Sequence, residues 1–208
     1  KNRNIECIGF SRKHGPMVDV VINNYRELIS FYEQNSILVN LAGDNRGANS
    51  TEEEMVSELS EIYKNNMVFI SSSNVYGLYN NEKVSEDMTF KHNDDYAVSK
   101  ISLEQVVLNN RGLVLRLSNV YGKGMSQNKI FYDIYNQINS SNTHIKLRNI
   151  NVIKDYLYID DFCDAIHLIL DKPLKNTIIN LGSGIGEKSI DLIKIICKIL
   201  NKDFSKLK

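Results

Sequence analysis

Tyr96 and Lys100 are the residues of this chain whose types and spacing could support proton transfer. They lie four residues apart in the segment 95–100, and this spacing places both side chains on one face of a helix. A phenol is a poor base at neutral pH, but a nearby cation favours its phenolate form. We therefore expect Tyr96 to act as a general acid or base, with Lys100 as the cation that activates it.

An apolar run that ends in serines precedes this pair and makes the spacing informative. The same spacing also occurs at Tyr79 and Lys83, in a polar segment, so the spacing alone predicts little. Residues 67–71 are typical of a buried strand, and Ser72 follows where open α/β sheets bind ligands. Ser72 could hold a reacting oxygen while Tyr96 moves its proton. The three side chains together predict alcohol–carbonyl redox chemistry with a nicotinamide.

Short apolar runs alternate with longer helical patterns along the chain, which predicts an α/β fold with a parallel sheet. The predicted strands are 5–10, 18–22, 37–42, 67–71, 113–117 and 177–181. The predicted helices are 25–34, 51–64, 96–110, 130–138, 159–170 and 188–200. Because the strands are almost continuously apolar, we expect helices on both faces of the sheet.

Composition excludes several functional classes. The 208 residues contain 25 Lys and Arg against 25 Asp and Glu, so nothing indicates capture of nucleic acid or of an anionic membrane. The three cysteines are widely spaced and the histidines lack ligand spacing, so we expect neither a metal site nor a disulfide framework. With no signal-peptide core and no apolar run of bilayer length, we expect a cytoplasmic protein.

Six segments resemble, in order, those of the extended short-chain dehydrogenase/reductases, specifically the NAD(P)-dependent nucleotide-sugar epimerase/dehydratase family. They are residues 39–43, 71–77, 95–100, 115–122, 154–161 and 179–184. Each segment alone is a weak match, but six in the family's order are specific. The resemblance implies a Rossmann-like doubly wound sheet and hydride transfer on a nucleotide-activated sugar.

The resemblance also implies roles for individual residues. The implied catalytic groups are Ser72, with Ser73 as the fallback, Tyr96 and Lys100. The implied cofactor contacts are Ala42, Gly43, Ser71, Tyr96 and Lys100, with Lys100 on the ribose. The implied substrate contacts are Ser73, Asn74, Asn119 and Lys154, where Lys154 replaces an Arg and supplies charge without a bidentate fork. Since Ser73 and Asn74 stand where dehydratases carry an acidic pair, a 4,6-dehydratase is disfavoured.

The start of the sequence departs from the family's pattern. The family opens on a strand and a glycine-rich turn that binds the pyrophosphate, whereas residues 5–10 resemble its second strand. We therefore expect a sheet without the first strand and that turn. Ser11 and Arg12 suit the extra phosphate of NADP, although a solvated Arg12 is equally compatible, so NAD stays open. The missing turn leaves a non-catalytic nucleotide-binding sensor or scaffold as the alternative function.

The resemblance also suggests how the chain is divided. We expect residues 1–122 to form the cofactor domain, with 152–181 returning to it, and residues 123–151 and 182–208 to form an incomplete substrate-side subdomain. Family members often dimerise through the helix that carries the Tyr and Lys. The apolar residues of this helix suit either a homodimer or core packing; they are Leu103, Val106, Val107 and Leu108.

Overall fold

The structure is a computed structural model. It describes residues 6–11, 18–42, 50–77, 83–88, 94–127, 129–140, 145–147, 151–173 and 176–206. The strands are β1 (Phe10–Ser11), β2 (Val20–Val21), β3 (Leu38–Asn40), β4 (Met67–Ser72), β5 (Leu113–Leu117), β6 (Asn119–Tyr121), β7 (Ile153–Tyr158), β8 (Ile178–Leu181) and β9 (Gly186–Lys188). The helices are α1 (Ser50–Tyr63), α2 (Asp95–Asn109), α3 (Ile130–Asn139), α4 (Ile159–Leu170) and α5 (Ser189–Ile199).

A parallel sheet in the order β3-β4-β5-β8 forms the centre of the molecule. Its inner strands are the most apolar runs of the sequence, and they are buried along most of their length. The register pairs Ser72 with Leu117, so β4 and β5 end at the same level. β1 and β2 form a separate parallel pair. The α/β, Rossmann-like fold expected from the sequence is confirmed.

Helices cover both faces of this sheet, as the apolar strands predicted. On one face, α1 and α2 enclose a core made of Val56, Leu59, Tyr63, Met67, Phe69, Leu103, Val107 and Val114. On the other face, α4 packs Ile166, Ile169 and Leu170 against Val68, Leu113 and Leu115. Core packing therefore accounts for the apolar residues of α2, and a homodimer through them stays a prediction.

Three strands lie outside the predicted set. β6, β7 and β9 form a second sheet in which β7 pairs in parallel with β6 and antiparallel with β9. β9 consists of Gly, Glu and Lys, which have low strand propensity. β9 is a strand because it pairs with β7. The residues of β9 alone do not predict this pairing.

The helix predicted over residues 25–34 is instead a shorter 3₁₀ helix, Tyr25–Phe31. Its start is well defined, because Asn24 and Glu27 form a reciprocal capping box. None of its residues is buried, and a helix gains most of its stability by packing an apolar face. Further 3₁₀ turns lie at Lys64–Asn66, Ser73–Tyr76 and Phe204–Lys206.

Among the helices of the described ranges, none has both the length and the apolar character required to cross a bilayer.

A buried ion pair ties α2 to the central sheet. Arg116 Nη2 lies 2.7 Å from Glu104 Oε2, and the two side chains are 1% and 0% exposed. Glu104 also accepts a hydrogen bond from the hydroxyl of Ser71. Arg116 Nη1 donates to the Tyr76 hydroxyl at 2.8 Å, and that hydroxyl donates to Asn180 at 2.6 Å. Burial raises the pKa of Tyr76, although Arg116 and Asn180 act in the opposite direction.

Glu104→Gln tests this network. The substitution leaves the Arg116 guanidinium buried without its counter-charge, so we expect a loss of about 3–5 kcal/mol in the free energy of unfolding. Urea unfolding followed by circular dichroism measures it. Asp191→Asn is the matched control, because it breaks the exposed Lys194–Asp191 pair, which should be worth less than about 1 kcal/mol. If both variants lost the same free energy of unfolding, the Glu104–Arg116 pair would not be the stabilising contact described here.

Candidate active site

A cleft of about 1660 Å³ opens at the carboxyl ends of β4 and β5. This is where ligands bind in open parallel sheets. Typical small-molecule pockets measure about 300–1,000 Å³, so the cleft has room for an extended ligand. Residues of the turn after β4, the start of α2, β6, α3 and β7 line it.

Ser72 and Tyr96 both line this cleft. Ser72 is the last residue of β4, and its hydroxyl accepts a hydrogen bond from the backbone N–H of Asn74 at 3.2 Å. Tyr96 lies in the first turn of α2, which Asp94 caps by accepting from the Tyr96 N–H at 3.1 Å. The fold thus brings the predicted acid/base and the predicted hydroxyl anchor to one surface. Their catalytic roles stay predictions.

Lys100 has a different environment from the one its predicted ribose contact requires. It does not line the cleft, and its Nζ lies 3.0 Å from Glu52 Oε1 on α1. The same Nζ is 5.9 Å from the ring centroid of Tyr96 and 5.2 Å from that of Phe69. Sequence reasoning missed Glu52 because it is the first of three consecutive Glu at a helix start, which is the usual pattern of a solvated first turn.

The predicted cofactor residues are only partly described. Arg12 and Gly43 lie outside the described residues. Ala42 is exposed just after β3, and its N–H donates to Asn40 Oδ1 at 3.0 Å. Ser71 borders the cleft, but its hydroxyl donates to Glu104.

Two buried polar atoms test whether a nicotinamide dinucleotide fits here. Asn40 Nδ2, at the carboxyl end of β3, and Ser118 Oγ, which belongs to a cleft residue, have no hydrogen-bond partner among the described residues. An unsatisfied buried group costs about 1–3 kcal/mol. Ser118 belongs to the cleft, and its hydroxyl has the chemistry to bond a ribose or phosphate oxygen, whereas Asn40 does not line the cleft. At Ser118 the residues present therefore fit such a cofactor. Both residues lie at strand ends, a position from which the sequence could have identified them as candidates.

The predicted substrate residues divide into two groups. Asn74, Asn119 and Lys154 line the cleft, whereas Ser73 lies on the 3₁₀ turn Ser73–Tyr76 and is not a cleft residue. Asn119 also has a structural contact, because its Nδ2 donates to the backbone carbonyl of Asp155 at 3.1 Å. That bond connects β6 to β7 beside Lys154.

Asp155 anchors the glycine-containing turn after β8. Its Oδ1 accepts from the N–H and the hydroxyl of Ser183 at 2.9 and 3.0 Å, and its Oδ2 accepts from the Gly184 N–H at 2.7 Å. A Cβ at Gly182 would lie 2.7 Å from Asp155 Oδ2, and Gly184 has a φ of +75°. Both glycines are therefore required by the turn, and Asp155 fixes β7, with Lys154, against β8.

Asp155→Asn tests this anchor. An amide nitrogen cannot accept, so at least one of the three hydrogen bonds is lost and its donor is left unpaired. We expect a loss of about 1–3 kcal/mol in the free energy of unfolding, measured by thermal or urea denaturation. Asp164→Asn, on the exposed side of α4, is the control and should stay within about 0.5 kcal/mol. If Asp155→Asn left the free energy of unfolding unchanged, the turn would not depend on this carboxylate.

The chain has relatives among known proteins, both by sequence and by structure. The chain is 28% identical over 142 residues to GDP-6-deoxy-D-talose 4-dehydrogenase of Aggregatibacter actinomycetemcomitans, an alignment that covers 66% of this chain and 48% of that protein. The chain spans less than half the length of the curated relatives it matches.

Two of the solved structures that share the fold serve as examples. The dTDP-glucose 4,6-dehydratase of Bacillus anthracis str. Ames, in complex with NAD, superposes with a TM-score of 0.79 at 21% identity, covering 95% of this chain and 68% of that one. RMD from Pseudomonas aeruginosa, complexed with NADPH, has a TM-score of 0.71 at 22% identity, covering 81% and 67%. The model of the NAD dependent epimerase/dehydratase family matches residues 5–182. This chain belongs to the NAD dependent epimerase/dehydratase family.

Proposed function

We propose that the protein is an NAD(P)-dependent epimerase or reductase that acts on a nucleotide-activated sugar, with Tyr96 as the general acid/base. The observation that carries the proposal is the cleft itself, which is lined by Ser72 and Tyr96 and also by Asn119 and Lys154. Groups suited to proton transfer thus share one cleft with groups that can hold a polar, anionic substrate. The family and the named relatives support the same class of chemistry. The activity is proposed for the whole protein.

In this mechanism the residues of the chain transfer the proton, and a bound nicotinamide would supply or accept the hydride. When a sugar hydroxyl is oxidised, Tyr96 takes the hydroxyl proton, and when a carbonyl is reduced, Tyr96 returns a proton to the oxygen. Ser72 holds that oxygen by a hydrogen bond, at the fixed end of β4.

Substrate binding is assigned to three further residues of the cleft. Lys154 offers a point charge to the diphosphate, and Asn74 and Asn119 offer amides to sugar hydroxyls. Residues 123–151 and 182–208 would form the substrate-side subdomain, in which α3 packs against α5 through a shared apolar cluster. The cleft surface from Tyr121 to Phe131 belongs largely to this part of the chain.

For the cofactor, NAD and NADP both fit the proposal. The solved structures named above contain NAD in one case and NADPH in the other. We assign Ala42, Gly43, Asn40 and Ser118 to its binding, and we keep Arg12 as the residue that would favour NADP. Titration of the full-length protein with each reduced and oxidised cofactor measures this preference.

A nucleotide-binding protein without turnover is the second candidate function. The observation that favours it is the position of Lys100, which is paired with Glu52 and does not line the cleft. Binding of cofactor and nucleotide sugar by the full-length protein, without any conversion of the sugar, would support this alternative.

Tyr96→Phe is the direct test of the acid/base assignment. Loss of the hydroxyl removes general acid–base catalysis, which typically contributes about 10²–10⁴-fold to the rate, so turnover of a nucleotide sugar should fall by that factor while cofactor binding is retained. Tyr135→Phe is the control, because Tyr135 is an exposed residue of α3 that does not line the cleft. Unchanged turnover in Tyr96→Phe would refute the proposal.

Lys154→Met and Lys154→Arg test the diphosphate contact. Loss of the ammonium should weaken binding of a nucleoside diphosphate by about 1.5–3 kcal/mol, and Arg should bind at least as tightly as Lys because its fork can make two parallel bonds. Calorimetric titration with UDP, GDP and dTDP measures both. Lys198→Met, on the exposed side of α5, should have no effect. Equal affinities for Lys154→Met and the unmodified protein would remove Lys154 from the site.

A further inference from the structure

The ion pair between Glu52 and Lys100 lies in the seam between α1 and α2. Lys100 Nζ and Glu52 Oε1 are 3.0 Å apart, and the two side chains are only 7% and 6% exposed. Glu53 and Glu54, the next two residues, are exposed. One of three consecutive carboxylates is therefore directed into the protein, toward the cation of the Tyr96–Lys100 pair.

The surroundings of Lys100 place its charge close to Tyr96. The ammonium lies near the rings of Phe69 on β4 and Tyr96 on α2. Glu52 from α1 is in ion-pair contact with it, and Tyr96 and Glu104 lie four residues before and after Lys100 on the same face of α2. Glu104 is paired with Arg116. Glu52 is therefore the anion that directly offsets the charge of Lys100.

The stability of the fold does not by itself explain why an ion pair is buried between Glu52 and Lys100. Removing two charges from water is expensive, and well-packed apolar residues in place of a buried ion pair are often as stable or more stable. The core around the pair is apolar, with Val56, Leu59 and Phe69 in the same cluster. A charged pair in that position is better explained by a requirement for the cation of Lys100 at this place.

We propose that Glu52 is a positioning residue for Lys100, which holds the ammonium beside the ring of Tyr96 and offsets part of its charge. The inference rests on the proposed acid/base role of Tyr96. Glu52 fixes the ammonium next to the acid/base, and its negative charge offsets part of the charge that Lys100 presents to the Tyr96 ring. Glu52 acts through Lys100 and does not itself contact the substrate.

The pH–rate profile of Glu52→Gln in the full-length protein tests this role. The Gln amide oxygen can still accept a hydrogen bond from Lys100 Nζ, so the ammonium keeps its place while the anion is removed. The full charge of Lys100 then acts on Tyr96, and the acid limb of kcat/KM for sugar oxidation should move to lower pH by about half to one unit, the size expected from one nearby charge. A merely structural residue would lower stability and leave the limb in place. Glu53→Gln is the matched control and should keep the original profile. An unchanged limb, or one moved to higher pH, overturns the proposal.

Lysine acetylation gives a second readout that needs no turnover. With acetic anhydride and mass spectrometry of the peptides, Lys100 should resist acetylation in the unmodified protein and react faster in Glu52→Gln, relative to exposed Lys198 in the same sample. Equal protection of Lys100 in both proteins overturns the pairing. If protection changes as expected but no nucleotide sugar is turned over, the pairing stands and the proposed function fails.

Glu52→Asp keeps the test available if Glu52→Gln does not fold. The shorter side chain retains the charge but shortens its reach by one methylene group. Lys100 should then show intermediate protection, and the acid limb should move in the same direction by a smaller amount. Full protection together with an unmoved limb overturns the proposal.

Discussion

The buried ion pair between Glu104 and Arg116 is the constraint on which the candidate active site depends. Arg116 belongs to β5 and Glu104 to α2, and the same network includes Ser71 on β4 and Tyr76 in the turn that follows it. A buried network of this kind is costly unless every member is paired. These contacts hold α2 in its observed place on the sheet, and with it the start of the helix.

The face of α2 that carries Glu104 also carries the proposed chemistry. Tyr96, Lys100 and Glu104 follow one another at four-residue spacing, so they lie in line along the helix. Tyr96 faces the cleft, Lys100 pairs with Glu52, and Glu104 pairs with Arg116. This face of α2 is polar, although the packed face of a helix is ordinarily apolar. Because the Glu104–Arg116 pair anchors α2 to the sheet, it also positions Tyr96 at the start of the same helix.

Sequence reasoning succeeded where the information is local. β4 and β5 are mostly apolar runs, and they were predicted to within one residue of their observed bounds. It failed where structure depends on a distant partner. β9 gains its structure from pairing with β7, and the orientation of Glu52 toward Lys100 depends on how α1 packs against α2. The shared cleft of Ser72 and Tyr96 was predictable, because both follow from the strand end and the helix start.

In the proposed reaction Ser72 and Tyr96 act together on one sugar oxygen. A crystal structure of the full-length protein with oxidised nicotinamide cofactor and a bound nucleotide sugar tests it most directly. The prediction is that the Tyr96 hydroxyl and the Ser72 hydroxyl both lie about 2.6–3.2 Å from the same sugar oxygen, with the diphosphate near Lys154. A bound sugar with every oxygen beyond reach of the Tyr96 hydroxyl, directly or through one water, would contradict it.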